Sequence, residues 1–209
     1  MNDIALTIWA NNARTPLTDL VYYGFEPLWA TAYVGAIGLA LAYRRHDYRA
    51  LLTFGATVAL TWVPVVLLKV IAHRPRPDAA LLPHPVATAP GDWSFPSGHV
   101  AFATALAVAL FLATRNRWVR LAAALLVPVM AATVLITGVH YPSDVLFSVA
   151  WSLLLGPVWF RLACRAGSLL PAPCGSAPAR ASAAGSARTC PPSTPNPGDR
   201  TLPIVSVRG

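Results

Sequence analysis

The chain has 209 residues, of which 56% are hydrophobic and only 11% are charged. A soluble domain carries about a quarter charged residues, so this composition excludes an ordinary soluble protein and indicates an integral membrane protein. The formal net charge of +8 fits membrane topology and contact with anionic lipid better than nucleic acid, because no groove-binding or single-strand-binding motif is present.

The two ends of the chain differ from its middle. Residues 1–27 mix apolar and polar side chains and are too polar to span a bilayer, so we expect amphipathic helices at the membrane interface. They lack the basic segment and apolar core of a signal peptide, and we expect none. Residues 166–209 are rich in Ala, Pro, Ser and Arg without any period, which predicts a disordered tail.

Five apolar runs between these ends predict transmembrane helices. The expected fold class is therefore all-α, a polytopic membrane helical bundle in residues 28–165. Proline falls inside three of the runs, and it kinks a membrane helix without ending it. The runs are Leu28–Tyr43, Ala50–Ile71, Ser97–Thr114, Trp118–Val139 and Val145–Cys164.

Arginine placement predicts the orientation of the bundle. The short loops 44–49 and 115–120 are rich in arginine and fall on the same side as the tail, which the positive-inside rule makes cytoplasmic. The N-terminal segment, loop 73–96 and the turn around His140 fall on the opposite side. Arg74 and Arg76 do not follow the rule, which suggests that they serve a function.

Two polar patches on this opposite side suit a phosphate group. The first is Lys69, six residues, then Arg76-Pro77; Lys69 is the single lysine among sixteen basic residues and is costly near the end of an apolar helix. The second is the stretch 96–99, Pro-Ser-Gly-His, in which the serine is a preferred helix cap. A lysine, a forked arginine, a hydroxyl and helix-start amides match the oxygens of a phosphate.

The third patch consists of His140 and Asp144, four residues apart, with Pro142 suited to the first turn of a helix. If the turn is helical, the carboxylate holds one imidazole nitrogen as N–H and leaves the other free to attack. His99, when protonated, could donate a proton to a leaving oxygen. Two alternatives stay open: His140 and Asp144 could cap a helix, or the three residues could bind a metal ion, although no closed ligand set is evident.

These patches resemble the type 2 phosphatidic acid phosphatase (PAP2) superfamily of membrane lipid phosphatases, with the pattern Lys-x6-Arg-Pro, Pro-Ser-Gly-His and Ser-Arg-x5-His-x3-Asp. The resemblance covers about residues 20–164. It implies a helical bundle, a metal-independent mechanism without a cofactor, and a phosphohistidine intermediate. By motif position His140 would be the nucleophile, Asp144 its orienting partner and His99 the general acid. The residues that would bind phosphate are Lys69, Arg76, Ser97 and Gly98.

The third motif departs from the family pattern. Val134 stands where the family has arginine, and Thr133 stands where it has serine. Losing one contact to transition-state charge costs about 2.7–4 kcal/mol in comparable sites. We therefore expect a weakened but active site, for which Arg74 is the nearest candidate substitute.

The predicted function is hydrolysis of a phosphate monoester or pyrophosphate on a lipid, of the polyprenyl pyrophosphate or phosphatidate/phosphatidylglycerophosphate type. We expect it at the extracytoplasmic face of a bacterial inner membrane. The alternative is a catalytically weakened family member that binds or moves anionic lipid without turnover. The expected partners are a phosphorylated lipid and the membrane, not nucleic acid, and the sequence leaves the oligomeric state open.

Overall fold

The computed structural model describes residues 3–25, 27–45, 48–88 and 92–169. Apart from one short 3-10 turn at Ala79–Leu81, the regular structure of these residues is α-helical, as predicted. The predicted disordered tail lies outside the described residues from residue 170 onward. The helices are α1 (Asp3–Asn11), α2 (Pro16–Gly24), α3 (Pro27–Arg45), α4 (Tyr48–Ala72), α5 (Gly98–Ala113), α6 (Arg117–Ile136) and α7 (Pro142–Leu169).

The apolar runs form the helices predicted for them. In the described part of the chain, α4, α6 and α7 are long and apolar enough to cross a membrane, while α5 and the segment Ala32–Leu41 of α3 are shorter apolar helices. Three of the five predicted spans are therefore confirmed by length and composition. That α3 and α5 also cross stays a prediction.

Helix α5 forms the centre of the bundle. It packs against α4, α6 and α7, and most of its side chains are buried. A helix that is apolar on all sides belongs in the interior, where its neighbours cover it. Its 16 residues make it about 24 Å long, and this central position fixes where its first turn lies relative to the other helix ends.

The N-terminal helices pack onto the bundle. Both α1 and α2 contact α6, and α1 also contacts α7. The buried Asn11 donates from Nδ2 to the carbonyl oxygens of Ile136 at 2.8 Å and His84 at 3.1 Å, and its Oδ1 accepts from His84 N at 2.7 Å. One amide side chain thus joins α1, the end of α6 and loop 73–96.

Two helices, α6 and α7, differ from their predicted spans by three or more residues at one or both ends. Helix α6 ends at Ile136 rather than Val139, because Gly138 turns the chain with a φ of +74°, a conformation that glycine adopts without strain. Helix α7 begins at Pro142 and extends to Leu169, beyond both predicted ends of that span. The earlier start places Asp144 in a helical first turn.

Candidate active site

The residues of the three motifs meet at one end of the bundle. Lys69 lies in the last turn of α4 and His99 in the first turn of α5. His140 lies in the connection from α6 to α7, and Asp144 lies in the first turn of α7. Because consecutive helices run in opposite directions, the end of one and the start of the next share a side of the bundle.

A cavity of about 280 Å³ opens at this end. Its polar lining comes from Lys69, Arg76, Asp92 and His99, together with the backbone of Gly98. The rest of its wall is apolar and aromatic, and Val66 on that wall is 40% exposed on the outside of α4. The cavity therefore combines a cationic pole with an apolar side. Its apolar and aromatic lining residues are Tyr22, Phe25, Trp62, Val65, Val66 and Phe102.

The two cations of the cavity are held by a carboxylate. Lys69 Nζ donates to Asp92 Oδ1 at 2.8 Å, and Arg76 Nη2 donates to Asp92 Oδ2 at 2.5 Å. Arg76 Nη1 donates to the carbonyl oxygen of Val139 at 2.9 Å, which ties the guanidinium to the residue beside His140. Although burial opposes its ionisation, the ion pairs with Lys69 and Arg76 hold the pKa of Asp92 below its ordinary value.

The start of α5 has the serine cap that the sequence predicted. Ser97 is buried and caps the helix, accepting at Oγ from Val100 N at 3.4 Å. A Cβ added at Gly98 would meet only Trp62 Nε1, at 4.0 Å, so the space in front of this residue is open. Free helix-start amides facing such a space favour an anion. Ser97 itself does not line the cavity.

His140 is buried and stands next to Asp144. Its Nδ1 lies 3.6 Å from Asp144 Oδ2, and both side chains are fully buried. Neither ring nitrogen of His140 has a hydrogen-bond partner among the described residues, and the same holds for Nε2 of His99. Burial lowers the pKa of His140 to about 4. The imidazole is therefore neutral at physiological pH, as a nucleophile must be.

Asp144 is the most connected carboxylate of the site. Besides facing His140, it accepts from Arg74 Nη1 at 2.6 Å and from the backbone N of Tyr141 at 2.9 Å. It also accepts from Ser94 Oγ. Such a set of donors keeps a buried carboxylate ionised and fixed in position. Asp144 is therefore held where it can orient His140.

Arg74, the candidate substitute for the family arginine, lies elsewhere in the site. Its guanidinium bonds Asp144, Ser143 Oγ at 2.7 Å and Asp3 Oδ2 at 3.2 Å, and it lies 4.2 Å from the ring centroid of Tyr141. Arg74 bonds Oδ1 of Asp144, whereas His140 faces Oδ2, and Arg74 does not line the cavity. Its task here is to balance the charge of a buried carboxylate.

Val134 is fully buried in an apolar cluster. Its neighbours there include Tyr22, Val100, Met130 and Val139. Tyr22 also stacks on His99, with ring centroids 4.5 Å apart and planes inclined by 30°. The valine side chain thus supports the aromatic wall of the site and does not line the cavity. That this position corresponds to the family arginine stays a prediction.

Sequence reasoning missed Tyr22, Asp92 and Ser94 as site residues. Tyr22 and Ser94 carry no local signal, because each reaches the site through tertiary packing. Asp92 did have a signal in the sequence. Lys69, Arg74 and Arg76 form a dense group of cations, which is stable only with a carboxylate nearby to balance its charge. In the described part of the chain, no group of three or more His, Cys, Asp or Glu side chains is placed to hold a metal ion.

A family model described as "PAP2 superfamily" matches residues 50–167. The decaprenylphosphoryl-5-phosphoribose phosphatase of Mycobacterium tuberculosis (strain CDC 1551 / Oshkosh) is 37% identical over 127 residues, which are 61% of this chain and 66% of the relative. The undecaprenyl-diphosphatase BcrC of Bacillus subtilis (strain 168) is 30% identical over 95 residues, 46% of this chain and 48% of the relative. The matched part of the chain thus spans somewhat under two thirds of the first relative's length.

Two solved structures share the fold. The PAP2-type phosphatidylglycerolphosphate phosphatase of Bacillus subtilis superposes with a TM-score of 0.61 at 22% identity, covering 81% of this chain and 86% of that one. LpxE of Aquifex aeolicus superposes with a TM-score of 0.60 at 26% identity, covering 76% of this chain and 94% of that one. The helical fold of this chain is therefore one already known from solved structures.

Proposed function

Since this chain belongs to the PAP2 superfamily of membrane phosphatases, we propose that it hydrolyses a phosphate monoester or pyrophosphate carried by a polyprenyl lipid or a phosphatidylglycerophosphate-type lipid. The polyprenyl class has the support of two relatives whose names state polyprenyl substrates. The observation that carries the proposal is the cavity lined by Lys69, Arg76, Gly98 and His99, beside a buried His140 whose ring nitrogens have no hydrogen-bond partner among the described residues.

The apolar wall of the cavity supports a lipid as the substrate. A water-soluble phosphate ester would leave this wall against water, whereas a lipid chain would cover it. Val65 and Val66 of α4 both line the cavity, and Val66 is also 40% exposed at the surface of the bundle. A lipid lying along α4 would present its phosphate to Lys69 and Arg76 from the side.

The reaction we propose has two steps. Lys69, Arg76 and the amides at the start of α5 bind the phosphoryl oxygens, and His140 attacks phosphorus with its free ring nitrogen. The bond from phosphorus to the lipid oxygen breaks, and His99 gives that oxygen its proton. In the second step His99 takes a proton from water, and the resulting hydroxide attacks phosphorus. The bond from phosphorus to the His140 nitrogen breaks, which releases inorganic phosphate and returns His140 to its neutral form.

The test is release of phosphate from a lipid panel by purified protein. The panel contains decaprenylphosphoryl-5-phosphoribose, undecaprenyl diphosphate, phosphatidylglycerophosphate and phosphatidate. We expect at least one to be hydrolysed, with activity abolished in His140→Gln and retained in His84→Gln, since the His84 side chain is exposed and far along the loop. If no lipid releases more phosphate with the wild type than with His140→Gln, the proposed function is wrong.

One observation favours a second function, lipid binding without turnover. Val134 supplies no charge to the site, because its side chain is apolar and fully buried. A protein of this kind would bind a phosphorylated lipid in the same cavity, and the lipid would be recovered unchanged. Binding that is equal in the wild type and His140→Gln, with no phosphate released by either, would establish this function.

We place the site at the extracytoplasmic face of a bacterial inner membrane, in a bundle with five spans. Arg49 in the first turn of α4, and Arg115 and Arg117 around the start of α6, lie at the end of the bundle opposite to Lys69 and His99, which supports this orientation. In a background without cysteine, Ala80→Cys should react with an impermeant thiol reagent in intact cells, and Arg115→Cys should not. The reverse pattern would contradict the orientation.

A further inference from the structure

The carboxylate of Asp92 occupies the position between the two cations of the cavity. It lies 2.8 Å from Lys69 Nζ and 2.5 Å from Arg76 Nη2. Its main-chain oxygen also accepts from Arg76 Nε at 3.2 Å, so Asp92 uses the edge of the guanidinium that forms paired hydrogen bonds. Asp92 is the one carboxylate among the described residues that line this cavity.

A bound phosphate would need the same donors. Paired hydrogen bonds from an arginine and a point contact from a lysine are the usual way to hold phosphoryl oxygens. In this structure both donors are directed at Asp92, and two anions at the same donors would repel each other. Phosphate and the Asp92 side chain therefore compete for Lys69 and Arg76.

The surroundings of Asp92 allow its side chain to leave while the backbone stays. The Asp92 side chain is 36% exposed, compared with 20% for Lys69 and 8% for Arg76. Two residues along, Ser94 is fixed by a bond from its N to the carbonyl oxygen of Arg74 at 2.7 Å and by its contact with Asp144. Rotation of one side chain toward solvent is enough to free both cations.

From this geometry we infer that Asp92 is a built-in competitor of phosphate, which a substrate must displace, and that it sets the selectivity of the site. The inference rests on the proposed function in taking the cavity as a phosphate site. While the Asp92 carboxylate occupies the donors, an external anion cannot bind to them. The apparent affinity for any external anion is therefore reduced in proportion to the fraction of time that the donors are free. A phosphate delivered by a lipid along the apolar wall overcomes this competition through its additional contacts, whereas inorganic phosphate, the product, does not.

The alternative role for Asp92 is that of a strut that holds Lys69 and Arg76 in place for the substrate. The two roles predict opposite effects of removing the carboxylate. A competitor, once removed, leaves a site that binds phosphate more tightly. A strut, once removed, leaves mobile cations and a site that binds phosphate less tightly.

The test measures binding of inorganic phosphate to the purified full-length protein by titration calorimetry. We expect Asp92→Asn to bind about tenfold more tightly than the wild type. The matched control is Asp78→Asn, which removes the same charge from the same loop, does not line the cavity and still caps the 3-10 turn at Ala80 N. Equal or weaker binding by Asp92→Asn, or an equal gain in both variants, would overturn the inference.

A second measurement separates occupancy from a general change in electrostatic field. In Asp92→Ala the vacated position should accept a free carboxylate, so formate should weaken phosphate binding to this variant and leave the wild type unchanged. Failure of formate to compete in Asp92→Ala would count against occupancy. Both measurements concern binding alone, so they stand or fall independently of whether a lipid is hydrolysed.

Discussion

The ring of Tyr22 in α2 is stacked on the ring of His99 in α5, with centroids 4.5 Å apart. Tyr22 is 6% exposed and belongs to the same apolar cluster as Val134. A residue near the start of the chain thus forms one wall of the site and fixes the plane of a proposed catalytic imidazole. The N-terminal helices are therefore part of the site.

Replacing Tyr22 should affect the reaction through His99. We expect Tyr22→Ala to lower kcat by about tenfold to a hundredfold, because a misplaced catalytic group loses its alignment. Tyr22→Phe keeps the stacked ring and should retain more activity than Tyr22→Ala. The control is Leu20→Ala, since Leu20 lies in the same helix and is 69% exposed. Equal activity in Tyr22→Ala and Leu20→Ala, measured with the same lipid, would show that the stacking has no role.

Replacing Arg74 should destabilise the protein and misplace His140. Arg74→Ala leaves the buried Asp144 without a cation, at a cost of about 3 kcal/mol, the lower end for breaking a buried pair, since Arg74 is 33% exposed. The control is Arg115→Ala, since Arg115 is exposed and a surface substitution should change stability by only about 0.5 kcal/mol. Thermal unfolding in detergent measures both, and similar losses in the two variants would disprove the role assigned to Arg74.

Gly98→Ala should separate activity from stability. The added Cβ meets only Trp62 Nε1, at 4.0 Å, so folding should be unimpaired, while the methyl group takes space meant for the phosphate. We expect activity to fall by about a hundredfold. Gly55→Ala in α4 is the control, because nothing lies within 4 Å of its added Cβ and it should stay fully active. An active Gly98→Ala variant would mean that the phosphate does not approach this backbone.

His140 should make stability depend on pH in a defined window. The pKa of its imidazole is lowered from 6.5 to about 4 by burial, so the unfolded chain binds a proton below about pH 6.5 and the folded protein does not. The contribution of the neutral imidazole to the free energy of unfolding is fully present above pH 6.5 and is lost as the pH falls toward 4. His140→Gln should therefore show a shallower loss of melting temperature from pH 6.5 to 4 than His84→Gln. Identical slopes would contradict the assignment.

The sequence predicts the helices well and their contacts poorly. Long apolar runs determined α4, α6 and α7, because burial in lipid depends on composition along the chain. The polar motifs also predicted which helix ends form the site, because alternating helix directions place Lys69, His99 and His140 at the same end of the bundle. These parts depend on local sequence.

The contacts of Tyr22, Arg74 and Asp92 depend on tertiary packing. Arg74 was expected near the phosphate, yet its guanidinium bonds Asp144 and Asp3 and does not line the cavity. Asp92 lies only seven residues before His99 and was missed, because the group of cations around Arg76 indicates that a counter-charge lies nearby but not which carboxylate supplies it. Such placements follow from the balance of buried charges, which only the folded arrangement defines.

The most direct measurement is capture of the phosphorylated enzyme. The wild type, mixed with a lipid labelled with ³²P at the hydrolysed phosphate and quenched in alkali within the first turnover, should carry label that is stable in base and lost in acid, as expected for phosphohistidine. Peptide mapping should place the label on His140. His140→Gln should carry none, and His84→Gln should match the wild type. Label on another residue, or hydrolysis that proceeds in His140→Gln, would contradict His140 as the nucleophile.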